Sequence, residues 1–180
     1  MLVSKFERFE ALNNHTFTII NKLIENDVLC RLLYYSKERN AISRDINGNY
    51  ILPELTEDDR FSLINTHIFP RPRNTETLEE QTSFICILFD DVRLARDNTY
   101  FTKAKPTFLI ICHDGAWNIN EGIRPLLIMN EINSVMSNSN DFGIGKTNLP
   151  SDGVGARFIQ PSGNSNYTGY RLQYQNYDFS

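Results

Sequence analysis

Asp90 and Asp91 stand together at the end of an apolar run, and with Asp114 they supply three carboxylates. Hard oxygen donors of this kind hold divalent cations, and a held cation turns bound water into a nucleophile, the chemistry of a metal-dependent nuclease. Such sites commonly add a Glu-x-Lys pair on the neighbouring strand. Here the neighbouring apolar run ends Cys112-His113-Asp114, without that pair, and Asp114-Gly115 reads as a turn. Cys112 and His113 are adjacent, so on a strand they face opposite ways and cannot share a metal. His15 and His67 have no companions at ligand spacing. Gly143-Ile144-Gly145-Lys146-Thr147 resembles a phosphate loop, but Asn140 occupies the position of its first glycine, and a helical pattern precedes it rather than a strand. No Gly-x-Ser-x-Gly occurs. Cys30, Cys86 and Cys112 lie within apolar runs and read as reduced, buried thiols in a chain made in a reducing cytoplasm. The expectation is a protein that is not an enzyme and uses no metal and no cofactor, with the nuclease as the rival from another class.

The elements that would position these residues are clearer than any chemistry. Phe84-Ile85-Cys86-Ile87-Leu88-Phe89 and Phe108-Leu109-Ile110-Ile111-Cys112 lack polar alternation, which predicts two antiparallel strands buried on both faces. One face needs the chain's own helices; the other needs cover from the rest of the chain or from another subunit. Residues 94–105 join the strands, longer than a hairpin requires. Within that connection Arg96, Lys103 and Lys105 interleave with Tyr100 and Phe101, the composition of a contact surface. Tyr177 and Phe179 keep aromatics close to the end of the sequence, where chains fray unless tied down. These seven residues are the expected interface, with Glu76, Glu79 and Glu80 as acids for the bases to meet.

Upstream, Asn13 or Asn14 is the expected cap of a first helix with Phe17, Ile20, Leu23 and Ile24 on one stripe. Asp27 is the expected cap of a second, residues 28–35, whose Tyr34 and Tyr35 diverge so that one is core. Thr56-Glu57-Asp58-Asp59 resembles a capping box. Phe69-Pro70-Arg71-Pro72-Arg73 must be extended. Pro125 suits the start of a helix that buries Met129, Ile132, Val135 and Met136. Ala156-Arg157-Phe158-Ile159-Gln160 and Tyr170-Arg171-Leu172-Gln173-Tyr174-Gln175 are late strands. The fold class is α+β. One domain is expected over residues 1–180, mainly helical over 1–68, then a mainly antiparallel sheet with a crossing helix over 69–180.

The totals agree with one folded domain: 180 residues, 41% apolar and 22% charged. A formal charge of −4 provides no basic footprint for wrapping nucleic acid. No stretch reaches the ~20 apolar residues of a membrane helix, and Met1-Leu2-Val3-Ser4-Lys5-Phe6-Glu7 lacks the apolar core of a signal peptide.

In order of elements the chain resembles the tail terminator and head-to-tail joining (neck) proteins of tailed bacteriophages. Leu29-Cys30-Arg31-Leu32-Leu33-Tyr34-Tyr35, Arg124-Pro125 with Asn130-Glu131-Ile132, and Tyr167-Thr168-Gly169-Tyr170 carry the likeness of texture. The resemblance implies a virion structural protein, made in the host cytoplasm and placed in the neck or tail. Its partners would be copies of itself in a ring, a hexamer by likeness, together with the tail tube and the head or neck proteins. DNA would pass through the lumen without sequence-specific binding, and no membrane would be involved. A head-completion or stopper ring is the alternative within the same class.

Overall fold

The structure is a computed structural model. It describes residues 5–76, 78–94, 102–137, 146–150, 155–161, 163 and 166–177, with backbone alone for 5–11, 91, 93–94, 102–104, 146 and 176–177. Among the described residues four α-helices and nine strands follow in the order α1 (Lys5–Glu25), α2 (Asp27–Tyr34), α3 (Glu57–Ser62), β1 (Ile68–Phe69), β2 (Ser83–Leu94), β3 (Thr102–His113), β4 (Asn118–Ile119), β5 (Gly122–Ile123), α4 (Arg124–Met136), β6 (Lys146–Asn148), β7 (Ala156–Ile159), β8 (Tyr167–Gln173) and β9 (Gln175–Tyr177). The main sheet has the order β1-β2-β3-β8-β7, parallel between β1 and β2 and antiparallel elsewhere. Two-stranded pairs β4-β5 and β6-β9 stand beside it. This is the expected α+β fold, with α4 crossing between the central and late strands.

The unbroken apolar runs are buried on both faces. Ile85, Ile87, Phe108, Ile110, Cys112 and Leu172 face α1, α2 and α4 in one large core. Phe84, Cys86, Ile111 and Tyr167 face the other way, with Phe69, Leu78, Leu109 and Ile159 around them. Each such buried side chain contributes ~1.5–3 kcal/mol from burial alone. The second cover comes from the chain itself: the connector from residue 70 to 82 crosses one end of that face. His113 N–H donates to the Thr82 carbonyl at 3.0 Å, Tyr167 Oη to the Glu80 carbonyl, and Arg73 lies 4.7 Å over the Phe69 ring.

The helix boundaries depart from expectation at the start. α1 begins at Lys5, well before Asn13. Asn14 sits inside the helix, and the hydroxyls of Thr16 and Thr18 return to the carbonyls of Leu12 and Asn14 at 2.9 and 3.0 Å, so polar residues are accommodated without a break. α2 is capped by Asn26 and not by Asp27: the Asn26 side chain accepts from the Leu29 N–H at 2.9 Å and donates to Glu131 of α4 at 3.0 Å. The capping box of Thr56 and Asp59 forms as expected. Tyr34 is exposed and Tyr35 packs on the core, their rings edge to face at 5.1 Å. The core stripe of α4 is Ile128, Ile132 and Met136, all completely buried, with Met129 and Val135 at the margin, and Pro125 is the second helical residue.

Two buried arginines fasten the helical layer. Arg124, 1% exposed, donates to the carbonyls of Ala116 (2.8 Å), Leu32 (2.6 Å), Tyr35 (3.2 Å) and Glu38 (2.6 Å). Leu32 and Tyr35 belong to the C-terminal end of α2, where unpaired carbonyls and the helix dipole both favour a cation. Arg31, fully buried, donates to the carbonyls of Ala41, Leu52 and Pro53 and lies 3.9 Å from the Tyr50 ring, which Arg44 flanks at the same distance. Both are satisfied by backbone oxygens, so these charges hold chain to chain and are not sites for a ligand.

Candidate functional site

The connection between β2 and β3 is shorter than the 94–105 expected, because the strands run to Leu94 and from Thr102. Both strands continue as a ladder past the last β3-β8 pair: Arg93 pairs with Lys103 and Leu94 with Thr102, whereas β8 pairs with β3 only as far as Thr107, after which the Tyr174 N–H donates to the Pro106 carbonyl at 2.9 Å. Pro106, with no N–H to offer, stands where the third strand ends. The five residues from Thr102 to Pro106 carry the hairpin about 16 Å beyond the last β8 pair. A register shift between Asp90 and Arg93 sets Asp91 and Val92 against Ala104, a bulge that increases local twist and bends the arm. Residues 94 and 102–105, read as loop, are therefore strand. Arg96, Tyr100, Phe101 and Phe179 lie outside the described residues. Lys103 and Tyr177 are described in backbone only, Tyr177 as the Cα partner of Lys146 in the β6-β9 pair. Lys105 is half-buried at the base of the arm, opposite Asp90.

That base is polar on the face the connector leaves open. Asp90 Oδ2 accepts from Arg171 Nη2, from Thr107 Oγ1 at 3.0 Å and from Gln173 Nε2 at 3.3 Å. Thr107 is completely buried beneath this set. The Asp90 carboxylate is thus committed to a cation and two neutral donors. Asp114 lies at the far end of the sheet, just past His113, which is about 26 Å of strand from Lys105, and accepts from Thr168 at 3.2 Å. The two carboxylates do not converge, so the three-acid arrangement of the nuclease reading is not assembled. Among the described residues no group of three His, Cys, Asp or Glu side chains has the geometry to hold a metal ion. Burial pushes the thiols of Cys30 and Cys86 up to about 11 and that of Cys112 to about 12, which leaves them protonated and poor nucleophiles at neutral pH.

His67, weighed from the sequence only as a metal ligand, has a different setting in the fold. Two hollows of about 470 and 330 Å³ meet at His67, Glu80 and Thr82, the first also lined by Arg73 and Leu78, the second by Tyr34 and Lys37. The His67 ring nitrogen Nδ1 lies 3.1 Å from Thr66 Oγ1. Desolvation, aided by the Arg73 charge and opposed by Glu80, lowers its pKa from 6.5 to about 4. The imidazole is therefore neutral at pH 7, and only the fold could have shown it, because the depression comes from burial.

This shift sets a pH dependence with a definite sign. Between about 4 and 6.5 the unfolded histidine holds a proton that folded His67 does not, so acid favours unfolding. The contribution is complete above the unfolded value and is lost as the pH falls towards the folded one, up to about 3 kcal/mol in all. His67→Gln should lack this component, so its urea midpoint should fall less steeply with acid than that of the wild type. Equal slopes for the two proteins across that window would mean that His67 titrates normally.

Beside the edge strand, Phe158, Tyr170 and Trp117 form an aromatic group with ring centres 5.8–6.5 Å apart, and Phe158 is 54% exposed. Among the described residues no helix is long and apolar enough to cross a membrane.

The sequence from residue 26 to 176, from α2 into β9, matches the family model YomW. No curated protein and no solved structure matches the chain.

Proposed function

The chain belongs to the phage-associated YomW family, and from that premise we propose that it is a structural protein of the phage particle, a ring-forming tail terminator or neck protein that caps the tail tube and joins it to the head. The observation that carries this reading is the projecting arm. A two-stranded ribbon carried about 16 Å past the last β3-β8 pair extends beyond the five-stranded part of its sheet. Val92 on the arm is 42% exposed. Such an extension fits reach, onto a neighbouring subunit, the adjoining ring or the lumen. A net charge of −4 fits a channel through which DNA slides without being gripped. On this reading the protein is made in the host cytoplasm, assembles into a hexamer, and performs no reaction. Arg96, Tyr100 and Phe101 in the sequence between β2 and β3, Lys103 on β3, and Tyr177 and Phe179 near the end of the sequence are its proposed contacts; Lys105 supports the arm's base.

Replacing residues 92–104 by an Asn-Gly turn should leave a folded protein by circular dichroism, with only the arm's strand signal lost. Joining of tails to heads should fall about tenfold or more, the effect of ~1.4 kcal/mol removed from a contact. Light scattering on the wild type, alone and with tail tubes, should give the mass of a closed ring. A wild type that stays monomeric in both conditions would end the proposal, as would an arm-deleted protein that joins tails at the normal rate.

A further inference from the structure

Arg157 and Arg171 occupy directly opposed positions on β7 and β8. Side chains so placed have Cβ atoms ~4.5–5.5 Å apart, and like charges there repel. Asp90 answers only one of them, through Arg171 Nη2, and its carboxylate already takes Thr107 and Gln173. Arg157 is exposed on the edge strand and has no ion-pair partner among the described residues. Two arginines thus share one cross-strand position, and the single carboxylate, Asp90 on β2, lies on the far side of Arg171 from β7, so Arg157 at the sheet edge is left unanswered.

The other end of the same sheet face has the opposite charge. The connector that covers Phe84 and Tyr167 carries Glu76, Glu79 and Glu80, all exposed. Tyr167, whose hydroxyl reaches the Glu80 carbonyl, lies four residues along β8 from Arg171, about 13 Å away. The acids are therefore near, but on a separate patch. We propose that the arginine pair of one copy docks against the Glu79 and Glu80 carboxylates of a second copy. The contact rests on the ring reading and deepens it, because a surface that meets a different surface of its twin is heterologous, the kind of contact that closes into rings. Carboxylates are the matched acceptors for paired guanidinium forks. A nucleic acid backbone laid along this face would meet the glutamates next to the arginines, and the chain as a whole carries −4. Charge complementarity within one molecule selects a second copy as the occupant.

The test is sedimentation at low and high salt on the wild type, on Arg157→Glu, on Glu79→Lys with Glu80→Lys, and on the triple variant, with circular dichroism to confirm folding. Each reversed protein should associate about tenfold more weakly, high salt should weaken the wild type, and the triple variant should recover association. If Arg157→Glu assembles like the wild type, or the triple variant is no better than its parents, this contact is wrong while a ring of the wild type stands. If the wild type never assembles, both fall. Duplex DNA bound by the wild type and lost in Arg157→Glu, with assembly unchanged, would assign the pair to nucleic acid and overturn the proposal.

Discussion

Substituting methionine for Arg124 is expected to destabilise the fold by about 4 kcal/mol or more, the larger of the two strongest effects anticipated for a single change. Arg124 makes four hydrogen bonds to carbonyls, all lost together, although the Tyr35 carbonyl keeps the Glu38 N–H at 3.0 Å. Hydrogen bonds to a charged group contribute ~1.5–3 kcal/mol each, and a buried acceptor left unpaired costs ~1–3 kcal/mol. Against this stands relief from burying the guanidinium, whose desolvation lowers its pKa. The balance still favours arginine, because methionine fills similar volume but satisfies none of the carbonyls at the end of α2. Arg124→Lys should recover only a fraction, since one ammonium cannot reach groups spread over residues 32–38 and 116. Urea unfolding followed by circular dichroism measures all three proteins. A methionine variant with an unchanged midpoint would mean that the α2 carbonyls find water or other donors, and that the clamp is not needed.

Gly169→Ala should cost about 3 kcal/mol, at the upper end of what overpacking does. A Cβ built at Gly169 would lie 1.8 Å from the Ile110 carbonyl oxygen and 3.1 Å from Ile111 Cα. Both atoms are backbone of the central strand, so nothing can rotate aside, and β8 must move off β3. Gly48 is the informative control. It has φ +86° but nothing within 4 Å of an added Cβ, so Gly48→Ala should lose only about 1 kcal/mol, from backbone preference alone. Thermal melts of the two variants distinguish crowding from strain. If Gly169→Ala melts no lower than Gly48→Ala, β8 has more freedom against β3 than the ladder from Thr107 to His113 implies.

The doubly apolar strands were legible in residues 84–89 and 108–112 because burial on both faces leaves no room for polar alternation. The capping box at Thr56 and the connector after Phe69 were legible for a similar reason: their geometry follows from a few adjacent residues. Local signals failed where a residue type has two uses. Asn14 can cap a helix or ride inside one, and the neighbouring turns of α1 decided for the interior. Residues 102–105 look like loop because they are polar, yet they are strand, held by pairing with β2.

The sequence by itself determined the fold class, the helix that crosses between the strands, and the buried runs that form the two cores. Those follow from hydrophobic pattern and chain entropy, which act over short windows. Only the tertiary structure decided what the charged residues do, because charges are placed by neighbours distant in sequence. Arg124 looks like a surface residue before a proline until α2, residues 92 positions earlier, brings its carbonyls within 2.6 Å. Asp90 looks like a metal ligand until Arg171, 81 residues later, takes its carboxylate. Arg157 and Arg171 became a pair only through strand register, and His67 became neutral only through burial between Arg73 and Glu80. Solvation and Coulomb energies depend on the final position of every neighbour, so no window of sequence contains them.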